Sequence, residues 1–322
     1  MSNSVPIHPH ASPAIAASEQ PRLSVVVACT GTPSGFRSRL GSLAAACEDL
    51  NVEIIVVDGS PDGGVASSLD GTSGRTVVAR LAHPRALVPH LWAAGVDRCR
   101  GRIIALTTGE MRVGPSWART LIEEIEAGAA AAGGPIRLAS RSGPSGWAIF
   151  YLRFWSHLDE SLSSRRPVPQ LPGENVAYVA DQLSRRRALL SHGVWEAELN
   201  QAIAADGGGI VRAGGAAAEF APAQTFRAMV LGRLAHGRHS GATRIRRGER
   251  RRWHVVASAP AVPLLLAARA ARGVLPARRH QARFLLSLPW FLVLAAAWAI
   301  GEAWGALQGS GVASMSELVG SA

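Results

Sequence analysis

Three acidic positions stand where a protein could do proton or charge chemistry. Residues 53–63, EIIVVDGSPDG, run four apolar residues into Asp58 and then into a small-residue turn. A carboxylate there can accept hydrogen bonds from a ligand, or it can cap the loop that follows. The segment TTGE (107–110) offers the Thr108 hydroxyl and the Glu110 carboxylate two residues apart. In HGVWEAELNQAIAADGG (192–208), Glu196 opens a helix whose Trp195, Leu199 and Ile203 fall at i, i+4 and i+8. A glutamate so placed can face a crevice and take a proton, or can merely complement the helix dipole. Glu198 is its weaker alternative. LPGENVAY (171–178) sets Glu174 and Asn175 in a loop, where Asn175 can also make an Asx-turn. Arginines 227, 233, 238 and 244 lie in and after a helical stretch, where they suit an anionic group or a solvated helix face.

The elements that position these residues alternate. LSVVVACT (23–30) is a β-branched run suited to a strand buried on both faces. A helix over 34–50 follows, with Phe36, Leu40, Leu43 and Cys47 on one stripe. Then come a strand ending at Asp58, a strand TVVARL, a helix over 87–101, a strand RIIALTT, a helix from Ser116 and a strand within AAAAGGPIRL. This order implies an open α/β sheet, mostly parallel, with helices on both faces. Ligands of such sheets sit beyond the carboxyl ends of the strands, which here are Thr30, Asp58 and the segment 107–110.

Composition narrows the class. The chain has 322 residues, 48% of them apolar, and a net charge of +11 carried wholly by arginine, since it contains no lysine. The basic runs RIRRGERRR (244–252) and ARRHQAR (277–283) both precede apolar stretches, which favours a membrane surface over nucleic acid. Three cysteines without CxxC spacing fit a reducing compartment, and the ten histidines show no metal-ligand spacing. Residues 1–21 lack both a basic n-region and an apolar h-region and read as a disordered leader.

LSVVVACTGTPSGFRSRLGSLAAACEDLNVEIIVVDGSPDGG resembles the opening of family 2 glycosyltransferases of GT-A fold. The likeness continues through GVDRCRGRIIALTTGEMRVGPSW, LPGENVAY and VWEAELNQAIAADGG, and covers roughly 22–245. It implies a nucleotide-sugar donor, with Asp58 on the base and Thr30, Ser60, Thr108 and Glu110 along the donor. It implies Glu196 as catalytic base, and Glu174, Asn175, Trp195, Arg238 and Arg244 near acceptor or diphosphate. The family holds a divalent metal on an acidic triplet, and the matching positions here are Thr108, Gly109 and Glu110. Glu110 would thus bind Mg²⁺ or Mn²⁺ weakly, or arginines would neutralise the diphosphate, or the chemistry has been lost.

LLSLPWFLVLAAAWAIGEAWGAL (285–307) would extend about 35 Å as a helix, enough to cross a bilayer. Trp290, Trp298 and Trp304 supply aromatic anchors; a buried soluble helix is the competing reading. The stretch 255–275 is interrupted by Arg269 and Arg272, so it suits an interfacial, re-entrant or hairpin segment. The expected order is a leader (1–21), a GT-A domain (22–245), a basic linker with interfacial helix (246–284), a transmembrane helix (285–308) and a flexible tail (309–322). The expected function is an inverting glycosyltransferase on the cytoplasmic membrane, its catalytic domain facing the cytoplasm, with a lipid-linked or envelope-glycan acceptor. The alternative is a catalytically degenerate nucleotide-sugar-binding or scaffold protein.

Overall fold

The structure is a computed structural model that describes residues 20–31, 35–60, 62–69, 76–81, 86–158 and 165–309. The expected leader, apart from Gln20 and Pro21, and the expected tail, apart from Gly309, lie outside the described residues.

The N-terminal half follows the alternation read from sequence. β1 (Leu23–Cys29), α1 (Phe36–Ala46), β2 (Val52–Asp58), α2 (Gly64–Ser67), β3 (Thr76–Arg80), α3 (Val88–Val96) and β4 (Ile103–Thr108) come first. They are followed by β5 (Met111–Val113), α4 (Trp117–Glu126), β6 (Ala131–Gly133), β7 (Ile136–Leu138) and α5 (Pro144–Phe154). β8 (Arg166–Pro167), β9 (Val176–Val179), α6 (Ala180–Ser184), α7 (Arg187–Leu190), α8 (Glu196–Ala205), β10 (Ile210–Arg212) and β11 (Ala218–Phe220) complete the sheets. The larger sheet has the order β3-β2-β1-β4-β9-β6-β10-β8, and a smaller one the order β5-β11-β7. β1 pairs in parallel with β2 and β4, and β2 with β3, whereas β9 runs antiparallel between β4 and β6.

Every residue of β1 is buried, because strand alternation sends its side chains to two cores. Val25, Val27 and Cys29 face α1 and α4, while Val26 and Ala28 face α3 and α8. This is the expected α/β architecture, a mostly parallel sheet with helices on both faces. Two details differ. AAAAGGPIRL is not one strand: β6 and β7 belong to different sheets, because the chain turns at Gly134-Pro135, where a Cβ on Gly134 would come within 1.9 Å of Ala216 O. The loop expected across LPGENVAY ends in β9, the central antiparallel strand.

Four helices close the chain: α9 (Phe226–Arg246), α10 (Arg252–Ser258), α11 (Val262–Val274) and α12 (Arg278–Gln308). α9 and α12 pack backbone to backbone through Gly237 and Gly241 on one helix and Gly301 and Gly305 on the other. Cβ atoms at these positions would come within 1.8–2.2 Å of facing backbone oxygens. Such small-residue spacing lets helices approach where any larger side chain would hold them apart. Glu302, an expense in an isolated apolar helix, is paired with Arg244 at 2.7 Å.

Candidate functional site

The carboxyl ends of β1, β2 and β4 lie side by side: Cys29 stands opposite Asp58, and Ala28 opposite Thr108. Backbone N–H groups of Gly59 and Gly109 donate to Cys29 O and Ala28 O, holding the loops after β2 and β4 against β1. Thr30 is exposed at this edge, while Thr108 and Glu110 are buried.

Asp58 turns its side chain into its own loop. Oδ1 accepts from the Ser60 N–H at 2.8 Å and from the Ser60 hydroxyl, and Oδ2 accepts from the Ala66 N–H at 3.0 Å. Both Asp58 and Ser60 are buried. The loop-capping reading therefore describes the Asp58 side chain, and direct contact of this carboxylate or of the Ser60 hydroxyl with a ligand would need the loop to reopen.

The turn Thr108-Gly109-Glu110 is packed tightly. Glu110 Oε1 accepts from the Ala223 N–H at 3.0 Å, and Arg39 Nε donates to Gly109 O at 2.7 Å. A Cβ on Gly109 would lie 2.8 Å from Cys29 Sγ and 3.2 Å from the Phe36 ring, so the middle position of the turn has no room for an aspartate. No group of three or more His, Cys, Asp or Glu among the described residues could hold a metal ion. Glu110 is the lone carboxylate of the turn, already takes a backbone N–H, and lies within electrostatic reach of Arg39 and Arg153. That donor set does not fit a divalent cation, which needs several oxygen ligands.

Glu196 opens α8 behind Trp195, whose extended backbone ends the preceding loop. It is half-buried, with its Cβ near the Gly173 turn, where a Cβ on Gly173 would lie 3.3 Å away. Burial pushes its carboxyl above the ordinary range, and the Arg153 guanidinium pulls back toward the charged form. Arg153, from α5, is ion-paired with Glu174 and feels both Glu110 and Glu196. Its guanidinium lies 5.1 and 5.8 Å from the Phe154 and Phe220 ring centroids.

Arg233, from α9, stands beside this cluster. Its guanidinium lies 4.2 Å from the Trp298 ring centroid, and its buried Nε has no hydrogen-bond partner. Burial and Arg153 push it down to about 9, which leaves it a cation at neutral pH. His236, edge-on to Trp195 at 5.6 Å, is pushed down to about 3 by burial and the two arginines, so it is neutral there.

The structure thus gathers Glu110, Glu174 and Glu196 around Arg153, with Arg233 beside it. The arginine in α5 was missed in the sequence, although WAIFYLRFW (147–155) carried a signal: a lone charge within an apolar helix has to find a partner. Asn175 makes structural hydrogen bonds. Its Oδ1 accepts from Trp117 Nε1 at 2.7 Å and its Nδ2 donates to Gly134 O and Ala216 O, so it ties α4, β6 and the loop before β11 together. Arg238 and Arg244 face another helix. Arg238 lies 4.3 Å from the Trp304 ring centroid and Arg244 pairs with Glu302, so both face α12 and not the cluster. Trp195 stacks on His239 at 3.6 Å and joins Glu198, His192, Arg246 and Arg247 around a cavity of about 210 Å³. Glu198 is paired there with Arg247 at 2.8 Å, apart from Arg153.

No protein-family model matches the chain, and no curated protein matches it in sequence. Among solved structures it is similar to GalNAc-T7 with UDP, GalNAc and Mn²⁺, at TM-score 0.47 and 13% identity, covering 64% of this chain and 45% of that one. It is also similar to S. aureus TarS 1–349 in complex with UDP-GlcNAc, at TM-score 0.47 and 12% identity, covering 66% of each chain. TarS 1–349 alone gives TM-score 0.45 and 13% identity, over 66% of this chain and 64% of that one. This chain therefore spans about half to two thirds of the length of the structures it resembles.

Proposed function

We propose that this protein is an inverting, GT-A-type glycosyltransferase of family 2 character, moving a hexose-type sugar from a nucleotide donor to a lipid-linked or envelope-glycan acceptor. The observation that carries the proposal is a pair of neighbouring guanidiniums, that of half-buried Arg233 holding a buried Nε with no hydrogen-bond partner among the described residues, next to a half-buried glutamate. Cations partly withdrawn from water favour a counter-charge, and a diphosphate supplies one that guanidinium forks bind well.

In this reading the donor lies across the ends of β1, β2 and β4, with Thr30 at its edge and Thr108 and Glu110 behind it. Asp58 and Ser60 shape the loop against which the base rests. Arg153 and Arg233 neutralise the diphosphate as its bond to the sugar breaks. Glu196 takes the proton of the acceptor hydroxyl while the new C–O bond forms on the opposite face of the sugar. Glu174 holds Arg153 in place, and Trp195 with the adjoining cationic cavity forms the acceptor side. No step is routed through a metal. The protein would work at the cytoplasmic face of the membrane.

A second reading, a non-catalytic nucleotide-sugar-binding or scaffold protein, is favoured by one observation: the Thr108-Gly109-Glu110 turn lacks the carboxylates of a metal-holding triplet. The test is a panel of labelled UDP-, GDP- and dTDP-sugars with and without Mn²⁺, scored for transfer to membrane lipid and for hydrolysis. Label transfer from one donor supports the enzyme; nucleotide binding with neither transfer nor hydrolysis supports the second reading.

A further inference from the structure

Residues 252–308 carry an apolar surface that nothing in the described chain covers. Of the fourteen exposed large apolar side chains among the described residues, eleven lie between Trp253 and Leu307, so the exposure is a property of these helices and not a scatter. On α12, Leu286, Trp290, Val293, Ile300, Trp304 and Leu307 follow one another in steps of three, four and seven residues, and so form one stripe. Leu264 and Leu265 of α11 and Trp253 of α10 are exposed as well.

The other side of α12 is protein. Phe284, Phe291 and Leu294 enter the core, and the glycine contacts with α9 leave no room for lipid between the two helices. The α9 residues along that seam are charged: Arg233 against Trp298, Arg238 against Trp304, and Arg244 on Glu302. If α12 crossed a bilayer in this packing, it would carry three guanidiniums and a carboxylate to membrane depth; if it crossed alone, Glu302 would lose its partner. Neither cost arises if α12 lies flat. Charge points to the surface it lies on: residues 244–283 hold eleven arginines and one acidic residue, Glu249. Arg250, Arg251, Arg252, Arg269, Arg272, Arg278 and Arg279 are exposed.

We propose that α11 and α12 lie in the plane of an anionic membrane, with the α12 stripe sunk at the headgroup boundary and the arginines on the lipid phosphates, and that no segment of 252–308 crosses the bilayer. This takes the place of the spanning helix expected from composition, and it is independent of the transferase reading.

The test is made on the full chain. In sealed inside-out vesicles from expressing cells, Arg278→Cys and Gln308→Cys, each on a Cys99→Ser background, are treated with a membrane-impermeant maleimide. Both react without detergent if α12 lies flat; a Gln308→Cys that reacts only after detergent overturns the proposal. In parallel, purified protein is floated with vesicles of phosphatidylcholine alone or with three parts in ten phosphatidylglycerol. Binding at least tenfold stronger to the anionic vesicles is expected, falling at least tenfold in Val293→Glu/Ile300→Glu with circular dichroism unchanged. Equal binding to both vesicle types overturns the charge assignment. A dimer in ultracentrifugation that the double variant breaks, without any vesicle binding, assigns the stripe to a second copy and overturns the proposal.

Discussion

Glu196 and Glu198 are two residues apart on α8, yet they face different partners, Arg153 for the first and Arg247 for the second. Glu196→Gln should therefore lower transfer by about 10²–10⁴-fold while donor binding persists, and Glu198→Gln should do little, as single-turnover rates and nucleotide titration would show. In the proposed role Glu196 would act as a carboxylate whose pKa burial has raised, so the transfer rate should climb with pH along a limb centred above the ordinary carboxylate range. The stability sign runs the other way. A glutamate with a raised folded pKa contributes stability at low pH that is lost as pH rises through that pKa. Glu196→Gln should thus gain in Tm relative to the parent as pH goes from 4 to 8, and a constant difference would contradict the shift. Asp58 makes a contrasting case. Its two oxygens satisfy two backbone N–H groups inside a closed loop, so Asp58→Ala should cost about 2–4 kcal/mol in denaturant unfolding, with Asp58→Asn recovering part. The positions of Asp58, Thr108 and Glu196 at element ends were readable from the sequence. The spending of Asn175 on three structural hydrogen bonds was not, because its partners come from segments about 40 and 58 positions distant.

The elements fall into those that local pattern dictates and those that only packing explains. β1, β2, β4, α1, α3 and α4 were legible because fully buried β-branched runs and amphipathic stripes have a length and a period. β9 was hidden behind LPGEN, whose turn residues mask the four-residue strand that follows. The union of α9 with α12 was hidden too, since two pairs of glycines four apart give no sign of meeting until both helices are in place. That union makes a direct prediction. A Cβ on Gly305 would sit 1.8 Å from Arg238 O, so Gly305→Val must push the helices apart. The expected cost is about 1–3 kcal/mol, read as a lower Tm and faster proteolysis between α11 and α12. An unchanged proteolysis rate would mean that α12 is not docked.

Over the whole molecule, the aligned ends of β1, β2 and β4 accompany a helical layer whose inner face is arginine and whose outer face is apolar. The charge of +11 is therefore not a uniform coat: it serves the cluster at Arg153 and Arg233, the seam at Arg238 and Arg244, and the exposed runs around α10 and α11. Composition announced the basic and apolar material but not its division among these three places, which depends on which face each helix buries. In the proposed function Arg153, Arg233 and Glu196 together make a sugar-transfer site without an acidic metal triplet. The most direct measurement is label transfer from the preferred nucleotide sugar, by the full chain on anionic vesicles in EDTA, for the parent, Arg233→Ala and Glu196→Gln. Transfer by the parent is expected, with weakened nucleotide binding and at least tenfold slower transfer in Arg233→Ala, and intact binding without transfer in Glu196→Gln. Transfer that appears only with added metal and is indifferent to Arg233→Ala would contradict the proposed function.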